Sequence, residues 1–98
     1  MDIDEVRRAL AEGRFDLSDH ALQAMDDDGL WRDDIQSTAF TFVLLDTVSG
    51  ERGTQWLLEG HCGKNVTVRL AVSWISDNVL KVITVYVRRH RHPRTRKR

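Results

Sequence analysis

The short links between the apolar runs constrain the fold of this chain more than any other feature. After residue 40, four runs rich in Val, Leu, Thr, Trp and Ile lie at about 41–47, 54–61, 66–75 and 79–87. Parallel neighbours would need crossovers of a dozen or more residues, which the turns between these runs cannot supply. We therefore expect a four-stranded antiparallel meander.

Alternation in the last two runs predicts a sheet with one buried face. The apolar set expected in the core is Leu70, Val72, Trp74, Ile83 and Val85. Successive side chains of a strand point to opposite faces, so the residues between them should face outward. The outward set is Thr67, Arg69, Thr84, Tyr86 and Arg88.

The residues before position 40 predict two or three short helices. Apolar residues recur at helical spacing over 4–12, and capping signals, among them Ser18, begin helices at about 19–28 and 34–39. Helices first and strands second make the fold class α+β, with the helices packed on the meander. The helical residues expected to cover the apolar sheet face are Leu10, Leu22 and Met25.

Charge divides the chain into a body and a tail. The 98 residues suit one domain, which we assign to 1–87, followed by a basic tail at 88–98. The body carries eight basic and fifteen acidic residues, and the tail carries seven basic and no acidic ones. Such a tail suits RNA, DNA, an acidic protein or the chain's own acidic surface. Its candidate nucleic-acid-binding residues are Arg88, Arg89, Arg91, Arg94, Arg96, Lys97 and Arg98.

The sequence argues against secretion, a membrane span, and a metal or cofactor site. Cys62 is the single cysteine, the first residues lack a secretory signal, and no apolar run approaches the ~20 residues that span a bilayer. We therefore expect a cytoplasmic protein without a membrane partner. The His61-Cys62 and His90-Arg91-His92 groups lack zinc spacing, and phosphate-loop and dinucleotide motifs are missing, so we expect no metal and no cofactor.

His20 is the first candidate for a catalytic residue. It falls at the second position of an expected helix, where unsatisfied backbone N–H groups attract anions. On the outward sheet face, Arg69, Thr84 and Tyr86 combine a cation with a stackable ring, as recognition of single-stranded RNA requires. An exposed helix residue and a solvated sheet face are the ordinary alternative, and these residues alone leave both interpretations open.

Short motifs are spread over residues 17–87. They are Ser18-Asp19-His20-Ala21, Met25, Gly29-Leu30, Asp34-Ile35, Gly63-Lys64 and Ile83-Thr84-Val85-Tyr86. These resemble the motifs His-Ala-x-x-Arg-Met, Glu-Arg-Gly-Ile, Asp-Val, Gly-Arg-Pro-Leu-His and Ile-Thr-Val-Tyr of the bacterial domain of unknown function 4258 family. That family in turn resembles the RelE and barnase-like ribonuclease toxins.

The resemblance implies a RelE/barnase-like toxin fold and a cytoplasmic, metal-independent endoribonuclease of a toxin-antitoxin system. It places the family's site on His20, Thr84 and Tyr86, to which we add Arg69 as a cation that stabilises the phosphate. The implied partners are RNA, including RNA on the ribosome, and an antitoxin protein.

The chain departs from the family motifs at three polar positions. Ala24 replaces a helix arginine, Thr67 replaces a histidine, and Asp28 replaces a second arginine. Each loss removes a group that could move a proton or stabilise charge. Two functions therefore stay open: an endoribonuclease, or a noncatalytic module of the same fold that binds a protein or a nucleic acid.

Overall fold

The computed structural model describes residues 3–51, 53–63 and 66–89. Within these residues the chain forms three α-helices, a 3-10 turn and five strands. In chain order the elements are α1 (Ile3–Ala11), β1 (Phe15–Leu17), α2 (Asp19–Asp28), α3 (Arg32–Ser37), the 3-10 turn (Thr38–Phe40), β2 (Val43–Gly50), β3 (Gly53–His61), β4 (Val66–Trp74) and β5 (Leu80–Arg89).

The sheet is mixed and five-stranded, with the order β1-β5-β4-β3-β2. The α+β class is confirmed, but the expectation of a purely antiparallel, four-stranded sheet is wrong. Strands β2 to β5 pair antiparallel in sequence order, whereas β1 pairs parallel to β5. Strand β1 was not predicted, because a strand of three residues is too short to show an alternating pattern.

Capping contacts fix the helix boundaries. Ser18 caps α2 as expected, since its Oγ accepts a hydrogen bond of 3.0 Å from the Ala21 N–H group. Helix α3 begins earlier than expected because the Trp31 N–H group donates to the Asp34 carboxylate at 2.8 Å. The last residues of the expected third helix form the 3-10 turn instead. No helix in the described part of the chain is long and apolar enough to cross a bilayer.

The core lies between the helices and one face of the sheet. Leu10 and Met25 are buried there as expected, but Leu22 is 48% exposed, so its assignment to the core is wrong. Trp74 is only partly buried, at the margin of the cluster. The sheet residues of the core are Phe15, Leu58, Val68, Leu70, Val72, Leu80, Val82 and Val85.

A β-bulge in β5 changes which side chains face the core. Ala71 pairs with Thr84 and Val72 pairs with Val82, so Ile83 is an extra residue between two paired positions. As a result Val82 rather than Ile83 is buried, which corrects the expected core. The residues after the bulge keep the expected orientation.

We predict that Leu70→Ala lowers the free energy of unfolding by about 2–5 kcal/mol, because this side chain is 2% exposed and its truncation leaves a cavity. Leu22→Ala is the matched control: because Leu22 lies on the solvent side, the cost should stay below about 1 kcal/mol. Chemical-denaturation midpoints and slopes measure both. Equal losses in the two variants would contradict the assignment of the buried sheet face.

Candidate nucleic-acid interface

A shallow hollow lies on the outer face of the sheet, opposite the helices. Three of the four predicted catalytic residues, Arg69, Thr84 and Tyr86, line it together with Leu57 and Ala71. Its volume is about 150 Å³. Pockets for drug-sized ligands usually have roughly 300–1,000 Å³. The hollow therefore suits a single ring system rather than a whole nucleotide.

Strand register assembles this site from three strands. Arg69 in β4 lies directly opposite Tyr86 in β5 on one side and Glu59 in β3 on the other. Opposite residues of antiparallel strands have Cβ atoms about 4.5–5.5 Å apart. Tyr86, Arg69 and Glu59 therefore form a row across the sheet, which we call the polar row. Ala71, with Thr84 opposite it, lies in the adjacent row.

An ion pair sits at the centre of the polar row. Arg69 Nε donates to Glu59 Oε2 at 2.7 Å, and the two side chains are 52% and 29% exposed, respectively. Pairs this accessible to solvent usually contribute about 0.2–1 kcal/mol to stability. Among the described residues no acceptor is recorded for the terminal nitrogens of Arg69, and no donor for the second carboxylate oxygen of Glu59. The pair thus offers donors and an acceptor side by side.

The surroundings of the polar row are apolar and accessible. Tyr86 is 61% exposed, so its ring is free to stack on a planar ligand. Leu57 and Ala71 line the hollow together with Leu45, which lies at the bulge of β2. A flat apolar surface beside a cation and a carboxylate can hold a ring whose edge carries hydrogen-bonding groups.

His20 does not share the hollow with the other three predicted residues. Its side chain is exposed in the first turn of α2, and it is not among the described residues that line the hollow. Helix α2 packs against β5 on the helix-covered side of the sheet. Of the four residues predicted to form one site, three therefore lie at the hollow and His20 does not.

The first two arginines of the basic tail, Arg88 and Arg89, lie on opposite faces of the sheet. Arg88 is exposed on the outer face, opposite Thr67 in β4. Arg89 instead donates to the Asp28 carbonyl oxygen at 2.6 Å, at the C-terminal end of α2. The remaining predicted nucleic-acid-binding residues, Arg91, Arg94, Arg96, Lys97 and Arg98, lie outside the described residues.

Two of the positions that differ from the family motifs, Ala24 and Thr67, lie at least partly buried. Ala24 is partly buried against the core. Thr67 was expected on the exposed sheet face, but this is wrong: it is buried, with its Oγ1 3.5 Å from His61 Nδ1. Arg69 and Arg14 are two candidates for a cation that takes the place of the arginine missing at Ala24. Arg69 pairs with Glu59, whereas Arg14 binds Glu12 and the carbonyl oxygen of Asn78.

Cys62 is a poor candidate for a nucleophile. Burial raises the pKa of its thiol, the nearby Asp34 carboxylate raises it further, and Arg89 acts in the opposite direction. A thiol with a raised pKa forms little thiolate at neutral pH. Within the described ranges, no group of three or more His, Cys, Asp or Glu side chains is arranged to hold a metal ion.

Glu59 and Leu57 lie at this site but were not among the predicted residues. Glu59 was not chosen as a site residue because an isolated acidic residue in a strand usually faces solvent without a specific role. The available signal was the short link between β3 and β4: pairing that starts with His61 opposite Thr67 places Glu59 opposite Arg69 two residues further along each strand.

Comparison of the chain with family models, with curated proteins and with solved structures gives no match.

Proposed function

We propose that this protein is a RelE/barnase-like toxin-fold protein that binds single-stranded RNA on the outer face of its sheet. The observation that carries the proposal is the polar row beside an apolar hollow, with Arg69 between an exposed ring and a carboxylate. Helices packed on one sheet face and the motifs around His20 and Tyr86 support the toxin-fold assignment.

The chemistry of the hollow favours an unpaired base as its ligand. Single-stranded RNA is gripped by stacking its bases on aromatic side chains and by hydrogen bonds to their edges. Tyr86 supplies the ring, Arg69 supplies the cation, and the Thr84 hydroxyl adds a donor and acceptor beside them. A base inside a duplex presents no free ring face, so double-stranded RNA should bind less tightly.

Charge on the rest of the molecule restricts where RNA can bind. The body carries seven more acidic than basic residues, so most of its surface repels phosphates. Arg69 and Arg88 are cations on the outer face, and the tail continues from the end of the same strand. RNA should therefore follow the outer face toward the tail.

Metal-independent RNA cleavage is the second candidate function, favoured by the position of Tyr86 directly opposite Arg69. In this reaction the 2′-oxygen loses its proton to a base and bonds to phosphorus, while the 5′-oxygen leaves and takes up a proton. Arg69 would stabilise the charge on the phosphate, and Tyr86 would donate the proton to the leaving oxygen. His20 is the proposed base. Because His20 does not line the hollow, we rank RNA binding ahead of RNA cleavage as the proposed function. An antitoxin protein that covers the outer face is the partner that this second candidate requires.

Tyr86→Ala should weaken binding of a short single-stranded RNA roughly 5- to 150-fold, because loss of one stacking ring costs about 1–3 kcal/mol. Tyr86→Phe keeps the ring and should retain most of the affinity. Ile75→Ala, at another exposed apolar residue outside the hollow, is the control. Fluorescence anisotropy measures all three variants. Wild-type affinity in Tyr86→Ala would show that RNA does not use the hollow.

If the protein cleaves RNA, Tyr86→Phe should lose about two orders of magnitude in rate while still binding the substrate, because the proton donor is gone. His20→Ala tests the proposed base in the same assay. Electrophoresis of end-labelled RNA measures cleavage, and a cyclic 2′,3′-phosphate product identifies attack by the 2′-oxygen. Absence of product from the wild-type chain would leave RNA binding as the function.

Removal of residues 90–98 should reduce the salt dependence of RNA binding. The deletion removes five cations, and each phosphate neutralised on a single strand contributes about 0.7 to the slope of log affinity against log salt concentration. The slope should therefore fall by up to about 3.5. Binding titrations across a salt series compare the full and shortened chains. Identical slopes would show that the tail does not contact RNA.

A further inference from the structure

The C-terminal end of α2 carries acidic residues that the helix itself does not need. Asp26, Asp27 and Asp28 close the helix, and its last turn contains no basic residue. The C-terminal end of a helix carries a partial negative charge, so acids there are unfavourable and cations are favourable. Asp27 accepts from Gln23 Nε2 at 3.0 Å. In the described part of the chain, the carboxylates of Asp26 and Asp28 have no hydrogen-bond or ion-pair partner.

An exposed aromatic ring follows these acids. Trp31 is 76% exposed, and it does not belong to the hydrophobic core. Only two residues separate it from Asp28, so the ring and the carboxylates share one corner of the molecule. Among aromatic side chains, the indole ring binds a cation most strongly. We call Asp26, Asp27, Asp28 and Trp31 the corner patch.

Strand β5 brings the basic tail to the corner patch. Arg89, the last residue of β5, donates from a terminal nitrogen to the Asp28 carbonyl oxygen at 2.6 Å. Residues 90–98 follow it and carry five cations and no acid. A segment of this length reaches at most about 30 Å, whereas the ten residues of α2 span about 15 Å. The whole corner patch is therefore within reach of the tail.

We infer that the corner patch is a docking surface for the chain's own basic tail, residues 90–98. The charges are complementary, since the patch combines three carboxylates with the negative end of α2 and the tail carries five cations. An arginine of the tail also fits over the exposed ring of Trp31. Exposed contacts of this kind are individually weak. Because Arg89 holds the start of the tail at Asp28, docking is intramolecular, and several weak contacts suffice.

Other occupants fit the corner patch less well. Carboxylates repel phosphate, so RNA is excluded from the patch. The tail of a second copy, or a basic segment of another protein, has the right charge, but each must displace a tail that is tethered beside the patch. RNA and the corner patch attract the same cations, and the tail exchanges between them because its contacts with the patch are exposed and screened by salt.

The test uses the full chain with a nitroxide spin label on the tail. Thr95→Cys combined with Cys62→Ser leaves one thiol, at position 95, for the label. A nitroxide broadens the NMR signals of nearby amides. Amides from Asp26 to Trp31 should lose intensity relative to the chain with reduced label, whereas amides near Gly50, in the edge strand farthest from β5, should keep theirs. The loss should disappear in about 1 M salt, where the screening length is about 3 Å.

Asp26→Asn combined with Asp28→Asn should abolish most of this broadening, because two of the three carboxylates lose their charge. Neutralising acids at the C-terminal end of a helix does not weaken the helix. Glu51→Gln combined with Asp77→Asn removes the same charge from exposed residues outside the patch and is the matched control. The broadening should persist in this control.

Trp31→Ala should reduce the broadening in part, because the contact between a cation and the ring is lost while the carboxylates remain. Ile75→Ala, at another exposed apolar residue outside the patch, is its control and should leave the broadening unchanged. Circular dichroism and denaturation midpoints verify that the labelled chain and each variant are folded.

The amide intensities also show where the inference fails. Undisturbed intensities from Asp26 to Trp31 in the labelled chain would overturn docking of the tail. Equal broadening with and without the Asp26→Asn and Asp28→Asn changes would overturn the carboxylates as its partners. Equal broadening in an isotope-labelled chain without nitroxide, mixed with an unlabelled chain that carries it, would assign the patch to the tail of a second copy and overturn the intramolecular contact. None of these measurements involves RNA, so failure of RNA binding leaves the docking contact in place.

Discussion

The contacts of one serine connect helix α2 to strand β5 at the point where β5 bulges. Ser18 Oγ accepts from the Ala21 N–H group at the start of α2 and donates to the Ile83 carbonyl oxygen at 2.6 Å. Its own N–H group donates to the Val82 carbonyl oxygen at 3.0 Å. A single residue thus caps a helix and satisfies two backbone acceptors at the β5 bulge, where the ladder to β4 is interrupted. The position of α2 and the course of β5 are coupled through it.

The outer sheet face follows from this arrangement. The bulge allows Leu80 and Val82 to face the core before it and Val85 after it, which leaves Thr84 and Tyr86 facing outward. The helices bury the other face, so the outer side chains are not required for the core. These outer side chains are therefore free to bind a ligand. An ion pair this accessible contributes little stability, so the polar row is free to serve the proposed recognition of RNA.

Elements with long sequence patterns were predicted well, and elements with short patterns were not. The nine residues of β4 alternate without interruption, so the burial of Leu70 and the exposure of Arg69 followed directly from the sequence. Helix α2 carried a cap at each end, and its bounds agreed with the prediction. Strand β1 and the bulge at Ile83 were missed, because each depends on pairing with a distant strand.

The site could be predicted only in part for the same reason. Thr84 and Tyr86 shared a face with Arg69 by alternation alone, but Glu59 entered the site through the register of β3 against β4. The position of His20 depends on how α2 packs against β5, which local patterns do not determine. Charge composition identified the basic tail without indicating what it contacts.

The most direct test of the central claim, RNA binding on the outer sheet face, is an NMR titration of the isotope-labelled chain with single-stranded RNA. The account predicts that backbone amide shifts change at residues of the hollow and polar row, in the middle of β3, β4 and β5. Amides of α1 and α3, on the helix-covered side, should change little. Changes confined to the helices, with the residues around Arg69 and Tyr86 unaffected at saturation, would contradict it.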